Sequence, residues 1–97
     1  MKWLWTWDGK CFGYREQEDL WTYEGKHVGN IIGMDIYDSK GNYLGEIIHG
    51  DRLITCKSKK LDKGYSFTPY ANRAAVPQNV NYAGYAMYAG YEDFPKL

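Results

Sequence analysis

Cysteine is scarce. Cys11 and Cys56 are the only two, they form no CxxC pair, and they do not fall at equivalent places in the chain's repeat. A disulfide framework therefore has no support, and free thiols are expected. A surplus of one charge is also missing: twelve basic and twelve acidic residues leave a formal net charge of zero. That removes the electrostatic argument for general nucleic-acid binding. No apolar run approaches the length of a membrane-spanning helix. The opening MKWLWTWDGK lacks the apolar core and small-residue cleavage site of a secretory leader. The expectation is a cytoplasmic chain with no nucleic-acid partner and no membrane span. Catalytic signatures are absent too: there is no GxSxG, no HExxH, no P-loop, and no GxGxxG opening a helix after a strand. No catalytic residue, metal ligand or cofactor is assigned on these grounds.

What the chain does have is aromatics and glycine. Of its 97 residues, 18% are Phe, Trp or Tyr, and 11 are glycine. They are ordered by an internal repeat. LWTWDGKCFGY (4–14) returns as LWTYEGKHVGN (20–30) and, more faintly, as IYDSKGNYLGE (36–46). Gly9, Gly25 and Gly41 stand 16 apart, as do Gly13, Gly29 and Gly45, and Asp19, Asp35 and Asp51. Trp5, Trp21, Tyr37 and Leu53 form an aromatic column; Leu4, Leu20 and Ile36 form an aliphatic one. Sixteen residues suit two strands of ordinary length and two short turns. Asp-Gly is a preferred type I′ hairpin sequence, and Glu-Gly and Lys-Gly keep the glycine it needs. Interior glycines argue against helix.

If Asp8-Gly9 is a two-residue loop, Leu4 faces Gly13 and Trp5 faces Phe12, with the equivalent pairs in the next two units. Each hairpin then has one face of aromatic beside aliphatic and another of branched aliphatic beside glycine. Glycine inside a strand marks a close approach. Hairpins crowding around a shared axis would explain three of them, with Leu4, Leu20 and Ile36 filling the centre. The fold expected is all-β: a pseudo-symmetric, closed or nearly closed arrangement of antiparallel hairpins. Gly9, Gly13, Gly25, Gly29, Gly41 and Gly45 are its structural repeat. A fourth unit begins at RLITCK (52–57) and loses its glycines. Either the stretch that follows or the tail completes it.

Units of the form aromatic-x-x-D/E-G-K-x-Φ-G, seen here as WTWDGKCFG and WTYEGKHVG, resemble those of the four-fold β-flower proteins. The likeness covers about Trp3 to Lys57. It implies hairpin petals around a pseudo-symmetry axis in a shallow barrel, in a mostly bacterial family. It implies no activity.

The chain divides into a hairpin-repeat domain (1–66) and a connector with an aromatic C-terminal segment (67–97) packed on it. In NYAGYAMYAGYEDFP, Tyr82, Tyr85, Tyr88 and Tyr91 recur every three residues. That spacing gives neither a helical stripe nor strand alternation, so a short helix or irregular helical turns ended by Pro95 are expected. His27 shares a face with Cys11 if petals are equivalent, a faint catalytic hint. The three aspartates would share one rim and could meet a cation, though each also suits a turn. Residues 57–63 form a basic, solvated loop.

The best binding signal is the aromatic set Trp5, Trp7, Trp21, Tyr23 and Tyr37, which could stack on a ligand or lie as core beneath the tail. The functional expectation is a non-enzymatic module that binds an unknown small ligand or a protein partner through an aromatic surface or the axial opening. The alternative is a structural domain that homo-oligomerises through its aromatic C-terminal segment.

Overall fold

The computed structural model describes residues 1–97. Seven strands follow one another: β1 (Lys2–Thr6), β2 (Cys11–Glu16), β3 (Asp19–Thr22), β4 (His27–Ile32), β5 (Asp35–Tyr37), β6 (Tyr43–Ile48) and β7 (Arg52–Cys56). Each pairs antiparallel with the next. Seven is odd, so β1 and β7 run the same way and the seam that closes the barrel is parallel, through Trp5–Arg52 and Thr6–Leu53. Closure leaves the first and last strands of the ring without a free edge along this seam.

The petal tips are built alike, but not as the two-residue loops expected. Thr6 N–H donates to the Lys10 carbonyl at 2.8 Å, and Gly9 N–H donates to the Thr6 carbonyl at 3.0 Å. The loop is therefore Trp7-Asp8-Gly9, a turn closed by a left-handed glycine at φ +94°. Asp8, Glu24 and Lys40 do not take positive φ, which a type I′ turn would require. The longer loop shifts the partners by one residue, and a β-bulge shifts them back. Trp5 pairs with Cys11 rather than Phe12, and Leu4 still pairs with Gly13. The second and third petals repeat this, with Trp21–His27 and Leu20–Gly29, then Tyr37–Tyr43 and Ile36–Gly45. The unpaired bulge residue swings inward. Phe12 accordingly joins the core, and Val28 and Leu44 pack against it.

The turns at the opposite end are shorter. Glu16 pairs with Asp19 and Ile32 with Asp35, but Ile48 pairs with Arg52, one residue later. That extra residue slips the fourth unit. Leu53 therefore leaves the aromatic column expected for it and joins Leu4, Leu20 and Ile36 in the core, all four at 0% exposure. Each fully buried aliphatic side chain of this kind stabilises by roughly 1.5–3 kcal/mol.

The fourth petal is completed by the tail. Strand β8 (Tyr91–Asp93) pairs antiparallel with β7 through Ile54–Asp93 and Cys56–Tyr91. One more step along this ladder sets Phe94 opposite Leu53, where the other petals set glycine opposite an aliphatic. This arrangement accounts for the glycines. Phe94 is buried and meets Phe12 edge-on at 5.2 Å. A Cβ on Gly45 would come within 2.7 Å of the Phe94 ring, and one on Gly29 within 2.9 Å of Ile36 Cγ2. One on Gly13 would run into the Trp21 carbonyl. Three side chains are absent, and one large ring uses part of the space.

The loop of the fourth petal is residues 57–90. Apart from a single 3₁₀ turn, Lys57–Lys59, it contains no helix and no strand. The short helix expected around Tyr82 to Tyr91 does not form. Amides that a helix would engage internally instead reach the petal tips, and Gly84 lies so close to Asp8 that a Cβ would be 2.7 Å from its carbonyl oxygen. No helix is long and apolar enough to cross a membrane.

Candidate functional site: a strapped aromatic belt and a cleft at the barrel mouth

The long loop acts as a strap across three petals in turn. At the third petal Gly64 N–H donates to the Gly41 carbonyl (2.7 Å) and Phe67 N–H to Ser39 (3.0 Å). At the second, Arg73 donates to Gly25 (2.8 Å) and Val76 to Tyr23 (2.8 Å). At the first, Tyr82 donates to Gly9 (2.7 Å) and Tyr85 to Trp7 (3.1 Å). The strap anchors 64, 73 and 82 are nine apart, as are 67, 76 and 85; the tip acceptors 41, 25 and 9 are sixteen apart. A nine-residue backbone register thus meets the sixteen-residue repeat in reverse order.

The first anchor of each set also covers the ring of the aromatic column. Tyr82 stacks on Trp5 with centroids 4.2 Å apart, and the Arg73 guanidinium lies 3.8 Å from the Trp21 ring centroid. A Cβ on Gly64 would be 3.0 Å from the Tyr37 ring. The indole N–H groups of Trp5 and Trp7 donate to strap carbonyls, Val80 at 2.8 Å and Ala86 at 3.0 Å. Of the aromatic set read from the sequence, Trp5, Trp7 and Trp21 are buried beneath this chain's own tail; Tyr23 and Tyr37 are half-buried. Trp21 Nε1 is buried without a partner.

Arg52 is a further anchor. It is buried, and its Nη2 donates to the Ala83 carbonyl at 3.0 Å. Its guanidinium carbon lies 4.3 Å from the Tyr85 ring centroid, a cation–π contact that stabilises more strongly when desolvated.

Thr6 and Thr22 lie two residues beyond Leu4 and Leu20 on the same face, one layer nearer the tips. Between these petals opens a cleft of about 350 Å³. Its floor is Phe12, Thr22 and Phe94, all buried, and the Cys11 backbone borders it. Its rim carries Asp8, Lys10, Glu24 and Lys96, two charges of each sign. Thr22 Oγ1 accepts from Lys26 N–H at 3.2 Å, so its own hydroxyl proton remains to donate. Asp93, also at the cleft, is engaged: its carboxylate accepts from the amides of Trp7 (2.9 Å), Asp8 (3.2 Å) and Phe94 (2.8 Å). The Thr6 hydroxyl donates to Asp8, and with the Lys10 amide and charge it holds the Asp8 carboxyl below its ordinary range. Burial pushes the Cys11 thiol up, so it is protonated at neutral pH.

The remaining candidates separate. Cys11 and His27 occupy equivalent outward positions of different petals and bond to different strap residues, Asn81 and Tyr70. Asp19 lies 3.1 Å from His27 Nε2, and Asp35 lies 3.3 Å from Lys59. Asp51 sits in the longer turn, where its carbonyl accepts from Trp5 N–H at 2.9 Å. No three His, Cys, Asp or Glu side chains come close enough to hold one metal ion. Both cysteines are free.

A closed ring of three like hairpins and a fourth completed by the tail defines a pseudo-symmetric all-β flower. The family model described as "4-fold beta flower protein" matches residues 1–83, and the chain belongs to that family. No curated protein and no solved structure matches it.

Asp93, Phe94 and Arg52 escaped sequence reasoning. The slip that places Arg52 and Leu53 is a matter of pairing, since the sixteen-residue spacing runs unbroken through Asp51. Nothing local signals that Asp93 and Phe94 belong beside Trp7 and Phe12.

Proposed function

We propose that this is a non-enzymatic, cytoplasmic binding module whose ligand enters the cleft between the first two petals. The observation that carries the reading is the floor of the cleft: an edge-on Phe12–Phe94 pair and one free hydroxyl donor, Thr22. The volume falls at the lower end of small-molecule sites, which are largely apolar with a few convergent polar groups. A compact, mostly apolar molecule with one acceptor for Thr22 fits it best. Two free thiols accord with a reducing compartment.

The test is native mass spectrometry for a co-purified molecule, together with amide shift mapping against a fragment library. Shifts should cluster at Thr6, Cys11, Thr22 and Asp93. Fragments that perturb only other surfaces, or none, overturn the reading.

One observation favours the alternative, homo-oligomerisation through the strap. Its outer edge exposes Val80, Tyr82, Tyr85, Met87 and Tyr88, each at 44–69%. Sedimentation over a range of concentrations decides it: a single monomeric species throughout excludes this role.

A further inference from the structure

All six strap anchors described above depend on nothing but two backbones meeting. The middle of the strap has an additional tie of a different kind, made to a side chain that can change its charge near neutrality. Tyr70 N–H donates to His27 Nδ1 at 3.1 Å. Nδ1 is therefore unprotonated, and the ring proton sits on Nε2. Nε2 faces the Gly29 carbonyl at 3.1 Å and the Asp19 carboxylate at 3.1 Å. His27 is only 7% exposed. Its ring lies among Phe67 (4.8 Å), Tyr70 (5.1 Å) and Trp21 (5.1 Å).

The charged groups around it come from three elements. Asp19 stands on β3. Glu16, on β2, is paired with Arg73 of the strap, and Arg73 lies over the Trp21 ring. From β4 itself the near polar group is the Gly29 carbonyl. Asp19 can keep its contact with a doubly protonated ring, so the added charge is accommodated where it forms. Tyr70 cannot: a proton on Nδ1 sets one N–H against another.

We propose that His27 is a proton-operated latch for the middle of the strap. On acidification, a proton at Nδ1 removes the acceptor of the Tyr70 amide, and the segment around Tyr70 lifts from the second petal between its backbone anchors. The ends of the strap stay in place. Gly64 and Tyr82 are held by the backbones of Gly41 and Gly9. The residues equivalent to His27 in the other petals are Cys11 and Tyr43, and burial keeps both protonated across this range. Lifting the segment withdraws Tyr70 from its stack on Trp21, 6.3 Å away, while Arg73, tied to the Gly25 carbonyl, stays over the ring.

Amide hydrogen exchange, read by NMR on the full chain from about pH 8 to about pH 5, tests this. After correction for intrinsic rates, Tyr70 should lose protection by on the order of tenfold or more, the size of one buried hydrogen bond. The loss should follow protonation of the His27 ring, while Gly64 and Tyr82 keep their protection. His27→Asn places a non-titrating acceptor near Nδ1 and should flatten the Tyr70 profile. The proposal is overturned if the ring never protonates in this range, if it protonates without change at Tyr70, or if all three amides lose protection together. It is overturned too if folded His27→Asn keeps the wild-type profile. Should that variant not fold, the comparison of Tyr70 with Gly64 and Tyr82 in the wild type still decides.

Discussion

Tyr82 and Gly9 meet through one hydrogen bond and one close approach. The Tyr82 amide donates to the Gly9 carbonyl at 2.7 Å, and the Tyr82 carbonyl fills the place where a Cβ of residue 9 would stand. The turn needs φ +94° at Gly9, and the strap needs an absent side chain. Gly9→Ala should therefore cost at least about 2 kcal/mol, the left-handed penalty plus displacement of the strap. Gly33 (φ +64°) has nothing within 4 Å of its Cβ position. Gly33→Ala should cost only about 1 kcal/mol. Urea denaturation of the pair separates the two contributions; equal losses would mean that the strap contact contributes nothing.

Gln17 occupies the same turn position as Gly33 and carries φ +52° without being glycine. Gln17→Gly should relieve that strain and raise stability by several tenths to about 1 kcal/mol. Arg15 Nε donates to the residue 17 carbonyl, a backbone contact that the substitution keeps. A drop in Tm would contradict the expectation.

Asp93 ties the tail to the first petal through the amides of Trp7 and Asp8, and also accepts from its neighbour, the Phe94 amide. Removing the carboxylate leaves those donors without their acceptor. Asp93→Ala should cost about 2–4 kcal/mol, and Asp93→Asn, which keeps one acceptor oxygen, distinctly less. Chemical denaturation measures both. If alanine and asparagine behave alike, the amide contacts are not what stabilises this corner.

Tyr43 gives an alkaline prediction. Burial first, and then the neighbouring Glu46, raise its phenol well above the ordinary tyrosine value, while a hydrogen bond from the Cys56 amide opposes the shift. An unfolded chain releases this proton at lower pH than the folded one. The contribution is therefore complete below the ordinary tyrosine value of about 10, and it falls as pH rises from there toward the raised value. Spectrophotometric titration should show one tyrosine resisting ionisation until the protein unfolds, and Tyr43→Phe should remove that resistant component.

The petals were legible because they are local. A hairpin of sixteen residues writes its turn glycine, its core aliphatic and its aromatic into one short window, so Leu4–Gly13 pairing could be counted from the sequence. The count even survived a wrong loop, because a bulge at Phe12 restored what the third loop residue had shifted. The strap was illegible for the opposite reason. Gly64, Arg73 and Tyr82 hold equivalent stations with unlike side chains, since backbone amides make the bonds. The aromatic belt was identified as a set, but the cleft depends on Phe94, some eighty positions from Phe12, and no local pattern joins them.

A hairpin whose two strands are separated by residues 57–90 cannot zip up from its own bend. Closing a loop of that length costs about 2 kcal/mol more entropy than closing one of three residues, and the compensating bonds go to carbonyls on the other three petals. Those petals must exist before the bonds can form. The fourth petal is therefore completed late in folding, by docking of the C-terminal ribbon, and the two ends of the chain are joined in one cooperative event: Trp7 cannot settle without Asp93, nor Phe12 without Phe94.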